Sequence, residues 1–187
     1  EKTLANLIST FNSRFNERIK TSYSYESLDF AASTSIYNAE KQEFVNSVPA
    51  SLLGVYQADS TSDQTYLYDR PPLRYDSTDP ELTILKRSYS PKISVFGKLP
   101  KQAIKIPRFD NGTTTPDFIF KIDHGNKPIY LVIETKAKNM RLGDEEIHII
   151  QQKYFDHLKE SGVYYQMATS AQEVHDLISK LENGELN

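Results

Sequence analysis

An apolar run that ends in charged residues constrains this chain more than any other feature. Residues 129–136 read Ile-Tyr-Leu-Val-Ile-Glu-Thr-Lys. The uninterrupted, β-branched apolar part favours a strand that is buried on both faces. Alternate residues of a strand point to the same face, so Glu134 and Lys136 project together while Thr135 points away. Because buried charges need partners, the end of this strand is a candidate functional site.

The surrounding sequence predicts a mixed α/β fold. Residues 93–136 are rich in β-branched and aromatic side chains and are interrupted by turn clusters, which predicts a strand meander joined by antiparallel hairpins. The predicted strands are residues 93–96, 103–106, 117–122 and 129–136. Helical spacing returns at residues 144–159, and a strand at 163–167 and a helix at 171–181 follow. We expect a mixed sheet with helices packed against it.

The first part of the chain is less regular. Apolar residues at three- and four-residue steps predict an amphipathic helix over residues 1–20, and a second helix is predicted over residues 38–48. Residues 56–80 are polar and turn-rich, which predicts an irregular connector with a short strand at 66–68. Asp79 as N-cap, Pro80 in the first turn and Glu81 near the positive end of the dipole then predict a short helix. We therefore divide the chain into a helical extension (1–55), a connector (56–80) and a core (81–187).

Composition and missing motifs exclude several classes of protein. The chain has no cysteine, which excludes a disulfide scaffold, a thiolate zinc site and a cysteine nucleophile. Its four histidines lack the spacing of zinc-binding motifs, and the GxxxxGK[ST] phosphate loop of ATPase motors does not occur. No apolar stretch approaches the roughly 20 residues of a membrane span, and no secretory leader is predicted. Because the first residue is Glu1 rather than Met, we expect the chain to be part of a longer polypeptide.

Asp117 supplies a second carboxylate to the candidate site. It follows Pro116 at the start of the preceding strand, so a hairpin would bring it beside Glu134 and Lys136. Two carboxylates and a backbone carbonyl suit Mg²⁺, which takes few protein ligands and keeps several waters. An adjacent ammonium can orient or deprotonate an attacking water, so the set suits hydrolysis of a phosphodiester. The alternative is an ordinary Glu134–Lys136 ion pair at a strand end.

The charges are unevenly distributed, although the net charge is only −3. From Lys86 to Arg141 the chain has 12 Lys or Arg and 4 Asp or Glu, whereas the remainder has 10 and 21. A basic middle between acidic ends can form a phosphate-binding surface, and ordinary solvated charge is the alternative. The predicted phosphate-contacting residues are Lys98, Lys101, Lys138 and Arg141.

These residues carry a resemblance to a known family. Pro116-Asp117 followed by Glu134-Thr135-Lys136 resembles the PD-(D/E)XK nuclease motif. The flanking sequence resembles, more specifically, the C-terminal endonuclease domain of the Res subunit of type III restriction enzymes. The segments that carry this resemblance most strongly are residues 96–101, 104–107, 115–118, 132–136 and 153–158. The resemblance covers about residues 44–181.

The resemblance implies a PD-(D/E)XK nuclease core with an N-terminal helical extension. In it, Asp117 and Glu134 would bind Mg²⁺, the main-chain carbonyl of Thr135 would be a further metal ligand, and Lys136 would be the catalytic lysine. Glu81 matches the place where many members keep an additional acid; its alternative role is to interact with the helix dipole. The sequence departs from the family at His148, where relatives tend to carry Lys, so the role of that helix stays open.

The implied function is Mg²⁺-dependent hydrolysis of double-stranded DNA by a type III restriction enzyme in the bacterial cytoplasm. The family also implies a helicase-type motor that uses ATP elsewhere in the same Res polypeptide, and a Mod methyltransferase subunit that reads the sequence. Two alternatives stay open. One is another PD-(D/E)XK nuclease, of repair or recombination. The other is a silent domain that binds DNA or bridges subunits, which would need a disabled site, whereas Asp117, Glu134 and Lys136 are all present.

Overall fold

The computed structural model describes residues 2–22, 25–26, 31–59, 65–68, 73–108, 110–125, 127–138 and 143–185. The helices are α1 (Lys2–Ser22), α2 (Thr83–Leu85), α3 (Asp144–Asp156) and α4 (Ala171–Glu182). The strands are β1 (Tyr37–Asn38), β2 (Glu43–Phe44), β3 (Tyr56–Ala58), β4 (Leu73–Tyr75), β5 (Ile93–Lys98), β6 (Ile106–Pro107), β7 (Thr113–Thr114), β8 (Phe118–His124), β9 (Lys127–Thr135) and β10 (Val163–Ala168). Short 3₁₀ helices lie at Ala50–Leu52 and Lys159–Ser161, and a π-helical turn at Thr78–Leu82 leads directly into α2.

A four-stranded mixed sheet, in the order β10-β9-β8-β5, positions the candidate site. β9 pairs antiparallel with β8 and parallel with β10, and β8 pairs antiparallel with β5. In the β8–β9 hairpin Phe118 lies opposite Ile133, so Asp117 lies beside the last residues of β9. The predicted mixed sheet and hairpin are therefore confirmed. Within residues 93–136, the strand predicted at 103–106 is misplaced, since pairing there is limited to a two-residue ladder between β6 and β7.

Helices cover both faces of this sheet. Leu131 and Ile133 of β9 pack on one face in a cluster with Val174 and Ile178 of α4. Val132 points to the other face, where it joins a cluster with residues of α3. Both faces of β9 are thus buried, as its uninterrupted apolar sequence predicts. The first helix is also confirmed and packs against α3, although Leu4, Leu7 and Phe11 stay largely exposed.

The second predicted helix, over residues 38–48, is wrong. The structure has the hairpin β1–β2 there. The side chain of Asn38 accepts hydrogen bonds from the backbone N–H groups of Glu40 and Lys41, which favours a turn over a helix. Gln42 adopts a φ of 56°, and the rings of Tyr37 and Phe44 pack across the two strands at 5.3 Å.

The described part of the connector has more regular structure than its polar sequence predicts. β3 and β4 form an antiparallel ladder within residues 56–80, and the strand predicted at 66–68 is reduced to a single bridge between Tyr66 and Phe96. The predicted short helix is present as the π-helical turn and α2 together (residues 78–85), and regular helical geometry begins after Asp79, whose backbone is extended. The end of the connector and the short helix matter for the site because they carry Asp76, Ser77 and Glu81. None of the described helices is long and apolar enough to cross a membrane.

Gly54 lies where the chain packs closely beside β4. A Cβ atom at this buried position would lie 2.5 Å from backbone atoms of Tyr75. We expect Gly54→Ala to lower the free energy of unfolding by about 1–3 kcal/mol, because backbone must move to relieve the clash. The measurement is urea unfolding. Ser51→Ala, at an exposed position, is the control and should change stability by less than about 0.5 kcal/mol. Equal stability of the two variants would contradict this packing.

Candidate active site

Asp117 is held in place by the end of the neighbouring strand. The backbone N–H of Thr135 donates to Asp117 Oδ2 at 2.7 Å, and Thr135 Oγ1 donates to the same oxygen at 2.6 Å. The backbone of Asp117 is fixed on both sides, since its N–H donates to Ile133 and its carbonyl accepts from Leu99. Both described hydrogen bonds to the side chain go to Oδ2, so Oδ1 is the oxygen that the residue can offer to a ligand.

Glu134 and Lys136 project together, as the strand periodicity predicts. Glu134 Oε1 lies 2.7 Å from Lys136 Nζ, and Glu134 is only 5% exposed. Its other oxygen, Oε2, accepts a hydrogen bond from Gln151 Nε2 of α3 at 3.1 Å. Lys136 Nζ also lies 3.4 Å from Asp144 Oδ1 at the start of α3. The ammonium group is therefore held between two carboxylates beside Asp117.

Glu81 reaches the same end of the sheet from the short helix. Its Oε2 accepts from Lys98 Nζ at 2.5 Å and from the backbone N–H of Asp76 at 2.8 Å.

Glu81 also lines an open cleft of about 230 Å³ together with Thr135, Lys136 and Asp144. The remaining lining residues come from the short helix and its approach, at Ser77, Asp79 and Pro80, and from Ala137 after β9. The structure thus brings all four predicted catalytic residues to one place.

Burial and like charges shift the pKa values of the carboxyl groups. Burial raises the pKa of Glu134 to about 7, and the charge of Asp117 adds to the rise while Lys136 opposes it. Burial also raises the pKa of Asp117. The charge of Glu81 raises this pKa further, whereas the hydrogen bonds from Thr135 lower it. For Lys136, burial lowers the pKa, but the charges of Glu134, Asp144 and Asp117 outweigh it, so the net pKa is raised. Two carboxyl groups are therefore held close together against the cost of desolvation, beside a lysine that stays charged.

The donor chemistry of this site fits a small, hard cation. Among the described residues, no three His, Cys, Asp or Glu side chains are grouped so that they could hold a metal ion by themselves. Burial and the charge of a neighbouring carboxylate raise the pKa of both Asp117 and Glu134, which a bound divalent cation would oppose, and Mg²⁺ takes one or two carboxylates and keeps its waters. Gln151 Oε1, buried behind Glu134, has no hydrogen-bond partner among the described residues, as expected where a site takes a further polar group.

Four residues are predicted to contact phosphate, and for Lys98 this prediction is wrong. Its side chain is almost fully buried and pairs with Asp76 and Glu81, so it cannot reach a phosphate. Lys138 and Lys101 are exposed, although Lys101 Nζ lies 3.6 Å from Asp76 Oδ2. Arg141 lies outside the described residues. A basic stretch in the sequence therefore overstates the basic surface, because part of its charge is neutralised inside the fold.

Three residues of the site, Asp76, Asp144 and Gln151, are not predicted by the sequence patterns. Asp76 and Asp144 lie in turn-rich or helix-start contexts, where an acid has an ordinary local explanation and gives no signal. Gln151 did leave a signal, because it lies in line with Ile147 and Phe155 on the apolar side of α3, where a polar residue needs a buried partner. It donates to Thr114 Oγ1 at 2.8 Å as well as to Glu134, and so ties α3 to the sheet.

His148 lies behind the site rather than in it. Its Nδ1 is 3.2 Å from the hydroxyl of Tyr165, a buried residue of β10. Burial raises the pKa of Tyr165, and the charges of Glu134 and Asp117 raise it further, so the hydroxyl stays protonated. The contact makes His148 a packing partner of Tyr165 on the α3 side of the sheet.

The chain is similar to known proteins over its whole length. Residues 64–172, which include Glu81, Asp117, Glu134 and Lys136, match a family described as an endonuclease domain. Over 191 aligned residues the chain is 41% identical to the Res subunit of the type III restriction-modification enzyme StyLTI of Salmonella typhimurium. This alignment covers 100% of the chain and 19% of that relative. No solved structure matches the chain.

The raised pKa of Glu134 makes the metal-free chain less stable as the pH increases. Between its ordinary pKa of 4.5 and about 7, the folded state holds a proton that the unfolded state has released, so stability falls through this range. Glu134→Gln removes the titration, and at pH 8 it should exceed the natural chain in stability by roughly 1–3 kcal/mol, since one pKa unit corresponds to about 1.4 kcal/mol. At pH 4 the advantage should vanish.

The measurement is urea unfolding with a chelator at pH 4, 6 and 8. Glu160→Gln removes an exposed carboxylate outside the site and serves as the matched control, with no pH-dependent gain expected. Parallel pH profiles for Glu134→Gln and the natural chain would contradict the raised pKa.

Proposed function

The chain belongs to the endonuclease-domain family, and from that premise we propose that it is the Mg²⁺-dependent nuclease of a type III restriction enzyme, hydrolysing phosphodiester bonds of double-stranded DNA. The identity of 41% to a Res subunit supports this over a repair or recombination nuclease. Because the chain spans 19% of that relative, the activity of the whole enzyme is part of the proposal.

The observation that carries the proposal is the convergence of two carboxylates and a lysine at the ends of two paired strands. Asp117 is bonded to Thr135 at 2.7 Å, and Glu134 to Lys136 at 2.7 Å, so the four residues form one rigid unit. Asp117, Glu134 and Lys136 are all present and in contact with their partners. A silent domain that only binds DNA or bridges subunits would not need to keep them so. The site also opens to an adjoining cleft through Lys136, where a phosphate group can approach.

Each residue has a distinct role in this proposal. Asp117 and Glu134, with the carbonyl of Thr135, would hold Mg²⁺, and when bound the ion would stabilise the charge that develops on the phosphoryl oxygens. Lys136 binds the scissile phosphate or the attacking water through its charged ammonium, which two carboxylates keep protonated. Glu81 adds a further acid to the lining of the cleft. Gln151 holds the side chain of Glu134 in its orientation.

The complete enzyme would contain more than this chain. We propose that a helicase-type motor in the same polypeptide uses ATP, that a Mod methyltransferase subunit reads the recognition sequence, and that the enzyme works in the bacterial cytoplasm. The 187 residues contain no phosphate loop that could serve an ATPase, so the motor must be encoded elsewhere. Copurification of the complete protein with a methyltransferase subunit tests this part of the proposal independently of the site.

Lys136→Ala separates catalysis from binding and from the motor. In the complete enzyme it should reduce DNA cleavage by at least about 10²-fold while DNA binding and ATP hydrolysis stay near normal, because only the reacting phosphate needs the ammonium group. Asp117→Ala should have the same effect and also weaken Mg²⁺ binding. The measurements are plasmid cleavage and ATPase activity for each variant.

Lys159→Ala is the matched control, because Lys159 is exposed beyond the far end of α3. It should cleave at the natural rate. Full cleavage by Lys136→Ala would overturn the assigned site. Joint loss of cleavage, ATPase activity and folding would make Lys136 structural rather than catalytic.

Phosphate binding should depend on Lys101 and Lys138. DNA affinity of the chain should fall steeply with salt, by roughly 0.9 log units per log unit of salt for each neutralised phosphate. Lys101→Ala with Lys138→Ala should reduce this slope by about 1–2, whereas Lys159→Ala should leave it unchanged. Fluorescence anisotropy with a short duplex between low and moderate salt measures the slope. An equal slope for all three proteins would place the DNA on another surface.

A further inference from the structure

Lys98 is a buried lysine that the proposed mechanism does not use. It is the last residue of β5 and is 3% exposed. Its Nζ lies 3.0 Å from Asp76 Oδ2 and 2.5 Å from Glu81 Oε2. A lysine is seldom buried in this way unless it is paired, because removing an ammonium group from water is strongly unfavourable. The arrangement therefore calls for an explanation beyond a surface ion pair.

The groups around Lys98 are fixed by the backbone. Asp76 donates its N–H to Glu81 Oε2, and Asp76 Oδ1 accepts from the backbone N–H of Val55 at 3.0 Å. The carbonyl of Lys98 accepts from the hydroxyl of Tyr68 at 2.8 Å. Both donors to Glu81 thus converge on Oε2 and leave Oε1 as the oxygen available to a ligand. The carboxylate is held at one end instead of rotating freely.

The Lys98 cluster is connected to the reacting groups. The residue after Lys98, Leu99, donates its N–H to the carbonyl of Asp117 at 2.7 Å, so β5 holds Asp117 and Lys98 in one register. The charges of both Glu81 and Lys98 act on the carboxyl group of Asp117. Glu81 itself lines the cleft with Lys136. An ammonium that holds Glu81 therefore acts on the geometry and the charge of the same site.

We propose that Lys98 is a positioning residue of the active site: with the backbone of Asp76 it holds Glu81 by Oε2, so that Oε1 faces the cleft. There Glu81 contributes to binding Mg²⁺ through one of the ion's waters, since no three carboxyl groups of the described residues are grouped to hold the ion directly. This inference rests on the proposed metal dependence. A lysine that served only the stability of the fold could be replaced by an apolar residue together with its partners, often without loss. A lysine that orients Glu81 matters for metal binding only while Glu81 is a carboxylate.

A double-mutant cycle on Mg²⁺ affinity tests the inference. The four proteins are the natural chain, Lys98→Met, Glu81→Gln and the double variant, and calorimetric titration with Mg²⁺ gives the dissociation constants. Lys98→Met should weaken binding about tenfold in the natural background, as is typical for groups that support a metal site without touching the ion, and less than about twofold in the Glu81→Gln background. Removal of the lysine charge alone tightens Mg²⁺ binding similarly in both backgrounds, so it cancels in the cycle.

Lys92→Met is the matched control, because Lys92 precedes the same strand but is exposed and should leave the affinity unchanged. Thermal unfolding checks that each variant folds. If Lys98→Met does not fold, the cycle is repeated with Asp76→Asn throughout, where loss of the lysine leaves fewer unpaired carboxylates.

Equal changes in the two backgrounds would overturn the positioning role while leaving the metal proposal intact. A natural chain that binds no Mg²⁺ would overturn the metal proposal and this inference together.

Discussion

Burial of charge at one end of a mixed sheet is the constraint on which the rest of the structure depends. Glu134, Lys98 and Glu81 are each less than a tenth exposed, although isolated charges are unfavourable in a protein interior. Each has an oppositely charged partner within 3.0 Å. Glu134 and its partner Lys136 come from the end of β9, whereas Lys98 and Glu81 come from β5 and the short helix, so the site forms only when the short helix packs against the assembled sheet.

Lys136 and Lys98 lie in the same region of the fold but have different roles. Lys136 lies at the edge of the cleft, with Glu134 and Asp144 beside it, and can reach a bound phosphate. Lys98 is enclosed between Asp76 and Glu81 and cannot. The two lysines differ in the exposure of the strand ends on which they lie. The chain after β9 lines the cleft, whereas the end of β5 is covered by the connector.

The apolar layers determine how rigid the site can be. β9 is packed on both faces, by α4 on one side and α3 on the other, so its last residues have little freedom. Gln151 extends this packing into the site, because it is buried on α3 and bonded to Glu134 and Thr114. Metal-binding and catalytic carboxylates require this precision, since small displacements of a reacting group reduce rates strongly.

The sequence by itself determined the strands of the four-stranded sheet, the helices that cover it, and the meeting of Asp117 with Glu134 and Lys136. Strand and helix periods are local, and a hairpin places its two ends side by side. Only the tertiary structure decided that residues 38–48 form a hairpin, that Lys98 is buried with Asp76 and Glu81, and that Gln151 supports Glu134. These outcomes depend on which element covers which, and that is set by packing between distant segments rather than by any local pattern.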